Sequence, residues 1–198
     1  MTSWADASFV GGHLALDFVN TAGGRTKTRD IERLIRLPDA LDWAHAAGVL
    51  TAVEYEQLVS RVDQDPSEAE GVLQDLHAQR DALHTFLLSG VEGTGCPPSA
   101  RDRVHDDIAM AYRQARLSSS FLTDPAWVVD VGDAGARLLG QRLALAAAEL
   151  LASTQRSQIG VCGRCSWLFL DPSPSRRRRW CSMATCGNRA KAQRHHQR

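Results

Sequence analysis

Cys162 and Cys165 are separated by two residues and Cys181 and Cys186 by four, with fifteen residues between the pairs. Two short cysteine pairs at that distance have the ligand spacing of a tetrahedral four-thiolate zinc site. One tight turn supplies two thiolates, and the second pair arrives from elsewhere in the chain. In the turn Cys162-Gly163-Arg164-Cys165 the glycine tolerates backbone geometry that lets amides face sulfur. Other readings of the cysteines are weaker. A disulfide framework needs an oxidising compartment that nothing in the sequence implies. A thioredoxin-like pair needs its first cysteine to open a helix, whereas Trp167 to Leu170 reads as a strand. A catalytic zinc keeps a coordination position open, which four thiolates close. A nucleobase deaminase requires a H-x-E partner, and the sequence has none. Cys96 reads as an ordinary loop or buried cysteine.

Around the expected Zn2+, strand-forming Trp167, Phe169 and Leu170 predict a hairpin after the first pair, with Asp171 to Ser175 as its turn. The second pair should lie at the start of a last helix, Cys186 to about His196. About forty residues cannot usually bury enough apolar surface to fold alone, so the metal must supply what the core lacks, on the order of 10 to 16 kcal/mol. Trp167 and Trp180 are expected in that small core rather than as base-stacking platforms. The fold class expected is mainly α with a minor β element. A helical N-terminal domain (1–155) precedes a small treble-clef-like or ribbon-like zinc finger with four cysteine ligands (156–198).

The net charge of zero conceals a split. From Gly160 to Arg198 there are nine Lys and Arg against one acid, and the preceding residues hold fourteen basic against twenty-two acidic groups. A tail of +8 behind a front of −8 seeks an anionic partner. The run Arg176, Arg177, Arg178 and Arg179 is the expected phosphate clamp. Asn188, Lys191 and Arg194 recur at helical spacing and share a face that could lie in a nucleic-acid groove, with Arg189 on the neighbouring side. If about six cations reach phosphates, affinity falls roughly a thousandfold between 50 and 200 mM salt. The competing readings are a solvated face or a lid over the acidic half for the arginines, and helix capping or support of the zinc knuckle for Asn188 and Arg189.

The elements that must carry this module are mostly helical. Thr51 with Glu54 and Ser67 with Glu70 form capping boxes, predicting helices over 51–62 and 67–88 after an earlier one over 37–47. Gly93, Gly95, Pro97 and Pro98 mark a loop, and helix resumes from Ser99 to about Arg116. Trp127 to Val131 reads as a short strand pairing with Arg116 to Leu122 or with Phe9 to Val19. Asp133 is expected to cap a core helix to about Ser153, and polar Thr154 to Gly160 reads as a linker. No segment suits a membrane span or a secretory signal, so a cytoplasmic protein is expected.

The strings C-G-R-C, R-R-R-W-C-S-M and C-G-N-R-A-K resemble the CGNR zinc finger family, whose four matching cysteines bind zinc. Upstream, Gly12 to Thr21 (G-H-L-A-L-D-F-V-N-T) and, more loosely, Leu41 to Leu50 resemble the ABATE domain that accompanies this finger. The resemblance implies a bacterial, stress-responsive DNA-binding transcription regulator, its finger following a helical sensor or dimerisation domain. DNA is the expected partner, with RNA or an acidic protein as alternatives. A small-molecule effector and a second copy of the chain are further partners left open. No nucleophile and base arrangement or phosphate-cradling glycine loop is visible, so an enzyme is not expected. Asp17 and Asn20, polar residues in an apolar run, are read as buried groups bonding nearby backbone.

Overall fold

The structure, a computed structural model, describes residue 4 and residues 8–120, 122–123 and 127–196. Its elements in order are α1 (Leu14–Val19), α2 (Leu37–Ala46), α3 (Ala52–Gln64), α4 (Pro66–Glu92), α5 (Pro98–Gln114), β1 (Arg116–Leu117), β2 (Trp127–Val128), α6 (Val131–Ala134), α7 (Leu138–Ala152), β3 (Ile159–Val161), β4 (Leu168–Leu170) and α8 (Asn188–His196). Long α4 and α7 flank α5, and α1 packs on both. Between them lies one core that contains Phe18, Leu41, Trp43, Leu138, Leu143 and Leu150. No helix among the described residues is long and apolar enough to cross a membrane.

Local chemistry explains most boundaries. Thr51 and Glu54 exchange both bonds of the expected capping box at α3. Glu54 also takes a bidentate bond from Arg142 of α7, at 2.6 and 3.0 Å. That bond holds the Glu54 carboxyl down to about 2, and the same guanidinium reaches the Val49 and Val129 carbonyls. At α4 the cap is Asp65 rather than Ser67. Its carboxylate accepts from the Glu68 amide, and Pro66 takes the first helical position, where a missing N–H costs nothing. The helix expected from Asp133 breaks at Gly135, whose φ of +55° leaves the right-handed region, so α7 begins at Leu138. β2 pairs with β1, and the second candidate partner, Phe9 to Val19, is instead helical from Leu14, with the His13 ring accepting from the Ala15 amide.

Two expectations for the finger are corrected. Thr154–Gln158 is a 3-10 turn leading straight into β3, so no free linker separates finger from helices. The hairpin also brackets the first cysteine pair instead of following it: β3 and β4 pair antiparallel, Val161 opposite Leu168, with Cys162 to Cys165 at the tip.

β4 has two differently occupied faces. Alternating side chains of a strand point to opposite sides, and here Leu168 and Leu170 enter the core of the helical part while Trp167 and Phe169 pack with the cysteines. Burying the two leucines contributes roughly 1.5 to 3 kcal/mol each. The outer edge of β4 is closed by side chains and loop backbone. Asn20 donates from Nδ2 to the Leu168 carbonyl (2.8 Å) and accepts at Oδ1 from the Leu168 amide (3.0 Å), and the Leu170 amide donates to the Gly11 carbonyl. Asn20 thus acts as a one-residue third strand. Its partner lies far along the chain, whereas Asp17 behaves locally and accepts from the Gly11 amide at 2.8 Å.

Asn20→Ala strands two buried backbone groups at about 1 to 3 kcal/mol each. It should lower stability by about 3 kcal/mol in urea unfolding and selectively raise amide exchange in β4. Unchanged exchange there would show that Asn20 does not hold the finger.

Candidate metal centre and nucleic-acid surface

The tip of the β3–β4 hairpin delivers Cys162 and Cys165, with the Cys162 amide donating to the Trp167 carbonyl. Cys181 follows the arginine run, and Cys186 sits in a single π-helical turn, Met183–Gly187, just ahead of α8. All four sulfurs lie within 4.8 Å of one another and all four cysteines are buried. A tetrahedron with Zn–S bonds of about 2.3 Å places its sulfurs about 3.8 Å apart. The Cys165 and Cys181 sulfurs stand at 3.7 Å, far beyond a disulfide bond.

Left to themselves these thiols cannot all ionise. Hydrogen bonds from Cys165 and Cys181 hold Cys162 below the usual thiol range, while donation to Cys162 pushes Cys165 up to about 12 and Cys181 higher still. A divalent cation at the centre replaces those protons and lets every sulfur act as a thiolate. The donor set and geometry fit one structural zinc with its coordination closed.

Trp167, Phe169 and half-buried Trp180 wrap the cluster, as expected of a small core. The helical part grips the same region. The Trp167 indole donates to the Ala22 carbonyl at 3.0 Å, Lys27 donates to the Cys162 carbonyl, and the His84 ring bonds the Ser166 carbonyl at 2.9 Å. Sequence reasoning misses Lys27 and His84, because no spacing rule links residues so far from the cysteines.

The arginine run is not uniform. Arg178 donates to the carbonyls of Leu170, Trp180, Val10 and Cys181 and lies 4.3 Å from the Phe169 ring centroid, so it ties finger, helical part and metal loop together. Its own amide donates to Asp171, the one acid of the finger. Arg176 donates to the Ser157 carbonyl at 2.7 Å. Arg177 has no bonded partner among the described residues, and Arg179 lies over the Trp180 ring, 5.3 Å from its centroid. On α8, Asn188 donates to the Ala184 carbonyl in the preceding turn, while Arg189 and Lys191 are exposed. The side chain of Arg194 lies outside the described residues.

Two outcomes follow. Since Leu168 and Leu170 belong to the helical core, zinc removal by a strong chelator should lower the melting temperature of the whole chain in one transition. Separate melting of the finger would contradict this coupling. For His84, burial, then the Arg29 charge, lowers the ring from 6.5 to about 4. The unfolded chain therefore takes up a proton below pH 6.5 that the folded chain refuses until about 4. Stability is full above 6.5 and is lost as pH falls. Asp17, raised by burial to about 6, has the opposite effect between about 4 and 6. Comparing pH 7.5 with 6.0, wild type should lose about 0.8 kcal/mol more than His84→Gln in urea unfolding.

Comparison with known proteins agrees with this geometry. Residues 158–198 match the CGNR zinc finger model, and residues 12–154 match the ABATE model, described as "Putative stress-induced transcription regulator". No curated protein matches the chain. The ABATE match covers well over half of the 198 residues, so the chain belongs to the ABATE family, in a form that ends in a CGNR zinc finger.

Proposed function

We propose that the protein is a DNA-binding transcription regulator of the bacterial cytoplasm, in which the zinc finger contacts the duplex and the helical part receives a signal or pairs two copies. One observation carries the reading: exposed cations without acidic partners among the described residues, Arg177, Arg179, Arg189 and Lys191, sit on a finger fixed both by metal and by the helical core. A basic surface held rigidly can keep register on a phosphate backbone, where a tail of the same charge would bind loosely. Arg176 and Arg178 serve the fold, so the clamp is narrower than four arginines. Asn188 and Arg194 complete the helix that would approach the groove. In this reading the chain catalyses nothing, because four thiolates leave the zinc no open position for substrate or water.

For a sensing role the helical part offers a cleft of about 650 Å³ between α4, α5 and α7, lined by Val72, Leu76, Asp75, Arg103, Met110 and Gln141.

With four phosphate contacts the slope of log affinity against log salt is near −3.6, roughly a hundredfold loss between 50 and 200 mM. Fluorescence anisotropy with duplex DNA should show at least that dependence, and Arg177→Ala with Arg179→Ala should flatten the slope by about 1.8. Arg178→Ala should instead reduce zinc retention and stability. Tighter binding to duplex or structured RNA than to DNA of the same length would assign the surface to RNA, and salt-independent or absent binding would end the nucleic-acid reading.

A further inference from the structure

The acidic helical part contains a basic island. Residues 23–29, Gly-Gly-Arg-Thr-Lys-Thr-Arg, hold three cations and no acid within residues 1–159, whose net charge is −8. They form the tip of a loop whose stalk is closed by an isolated bridge between Ala22 and Glu32 and by the Gly23 amide donating to the Ile31 carbonyl at 2.7 Å. The base of the loop is seated on the finger. Trp167 donates to the Ala22 carbonyl, and Arg33 donates to the Gly23 carbonyl at 2.8 Å while lying 5.0 Å over the Trp167 ring. Gly24, at φ +100°, passes so close that an added Cβ would stand 2.7 Å from the indole. No other residue fits that passage.

At the tip, Arg25, Thr26, Lys27 and Thr28 are all exposed. Arg29 is not part of the available charge, since it bonds the Val19 carbonyl and Asp81. Lys27 places one of its three ammonium donors on the Cys162 carbonyl. The next two knuckle residues hold the other basic elements: the Gly163 amide donates to the Arg179 carbonyl, and Arg164 donates to Gln193 of α8 at 2.9 Å. Three consecutive residues, whose α-carbons span less than about 8 Å, thus gather the loop, the arginine run and the last helix.

We infer that the loop at residues 23–29 is a second DNA-backbone-binding element, with Arg25 and Lys27 contacting phosphates beside those held by the finger. This inference rests on the DNA-binding reading above and extends the interface into the ABATE part of the chain. A zinc knuckle bonded to both elements would set the spacing between their phosphates, so the loop adds register as well as charge. The hydroxyls of Thr26 and Thr28, 2.7 Å apart, stiffen the tip and offer further donors to phosphate oxygens.

Six contacts instead of four move the salt slope from about −3.6 to about −5.4. The test uses the full-length, zinc-loaded protein and duplex DNA between about 50 and 200 mM salt. Arg25→Ala with Lys27→Ala should bring the slope from about −5.4 to about −3.6 and weaken binding roughly tenfold or more at the low-salt end, at one zinc per chain. Because Lys27 touches the knuckle, Arg25→Glu alone provides a second reading: zinc content unchanged, affinity reduced further than by Arg25→Ala. Loop variants that bind like wild type, while Arg177→Ala with Arg179→Ala weakens binding, would overturn the loop and leave the finger's role standing. Wild-type protein with no salt-dependent DNA affinity would overturn both.

Discussion

A three-residue strand with a different hydrophobic environment on each face holds this protein together. Leu168 and Leu170 complete the helical core, and Phe169, with Trp167 just ahead of the strand, completes the metal cluster. Neither side is self-sufficient. A cluster of four cysteines, two aromatics and little else is too small to close without metal, and the helical core would lose two fully packed leucines if the finger peeled away. The outer edge of the strand has no neighbouring strand among the described residues, so its backbone groups depend on Asn20, the Gly11 carbonyl and Arg178. An edge strand left bare would invite association with other chains.

This arrangement changes what a zinc site means for the molecule. In a tethered finger the ion stabilises only its own module, and the rest of the chain is indifferent to it. Here the ion fixes Cys162 and Cys165 at the hairpin tip, the hairpin fixes β4, and β4 finishes the larger core. Contacts from the helical part act in the other direction, since the Trp167, Lys27 and His84 bonds tie the knuckle to it.

The arginines divide by the same logic. A guanidinium has five donors in a rigid fork, and Arg178 uses that geometry to gather four carbonyls from the hairpin, the N-terminal segment and the metal loop. Carbonyls at such junctions have no strand partner, and a long cationic side chain reaches several at once. The cations that the fold leaves without an acidic partner among the described residues are exposed ones such as Arg25, Arg177, Arg179, Arg189 and Lys191.

The metal site is legible in the order of residues, because ligand spacing is a local constraint: two residues between cysteines make a knuckle in almost any context. Helix positions are legible for the same reason, through caps such as Thr51 with Glu54 and through apolar stripes along α4 and α7. Expectations fail where a distant partner outvotes a local signal. Phe9 to Val19 reads as a possible strand partner for Trp127 to Val131 until packing of Leu14–Val19 against α7 as a helix decides otherwise, and the polar stretch after Ser153 looks like a tether until β3 pairs with β4. Asn20 and Asp17 look alike in a linear reading, two polar residues in an apolar run. Only the approach of a strand about 150 residues away gives one of them a structural task that spans the chain. The four successive arginines are likewise identical as text, and their division into fold and surface depends on where unpaired carbonyls come to rest. Spacing along a chain encodes what neighbours can do for one another, whereas burial and hydrogen-bond satisfaction are settled by which distant segments meet.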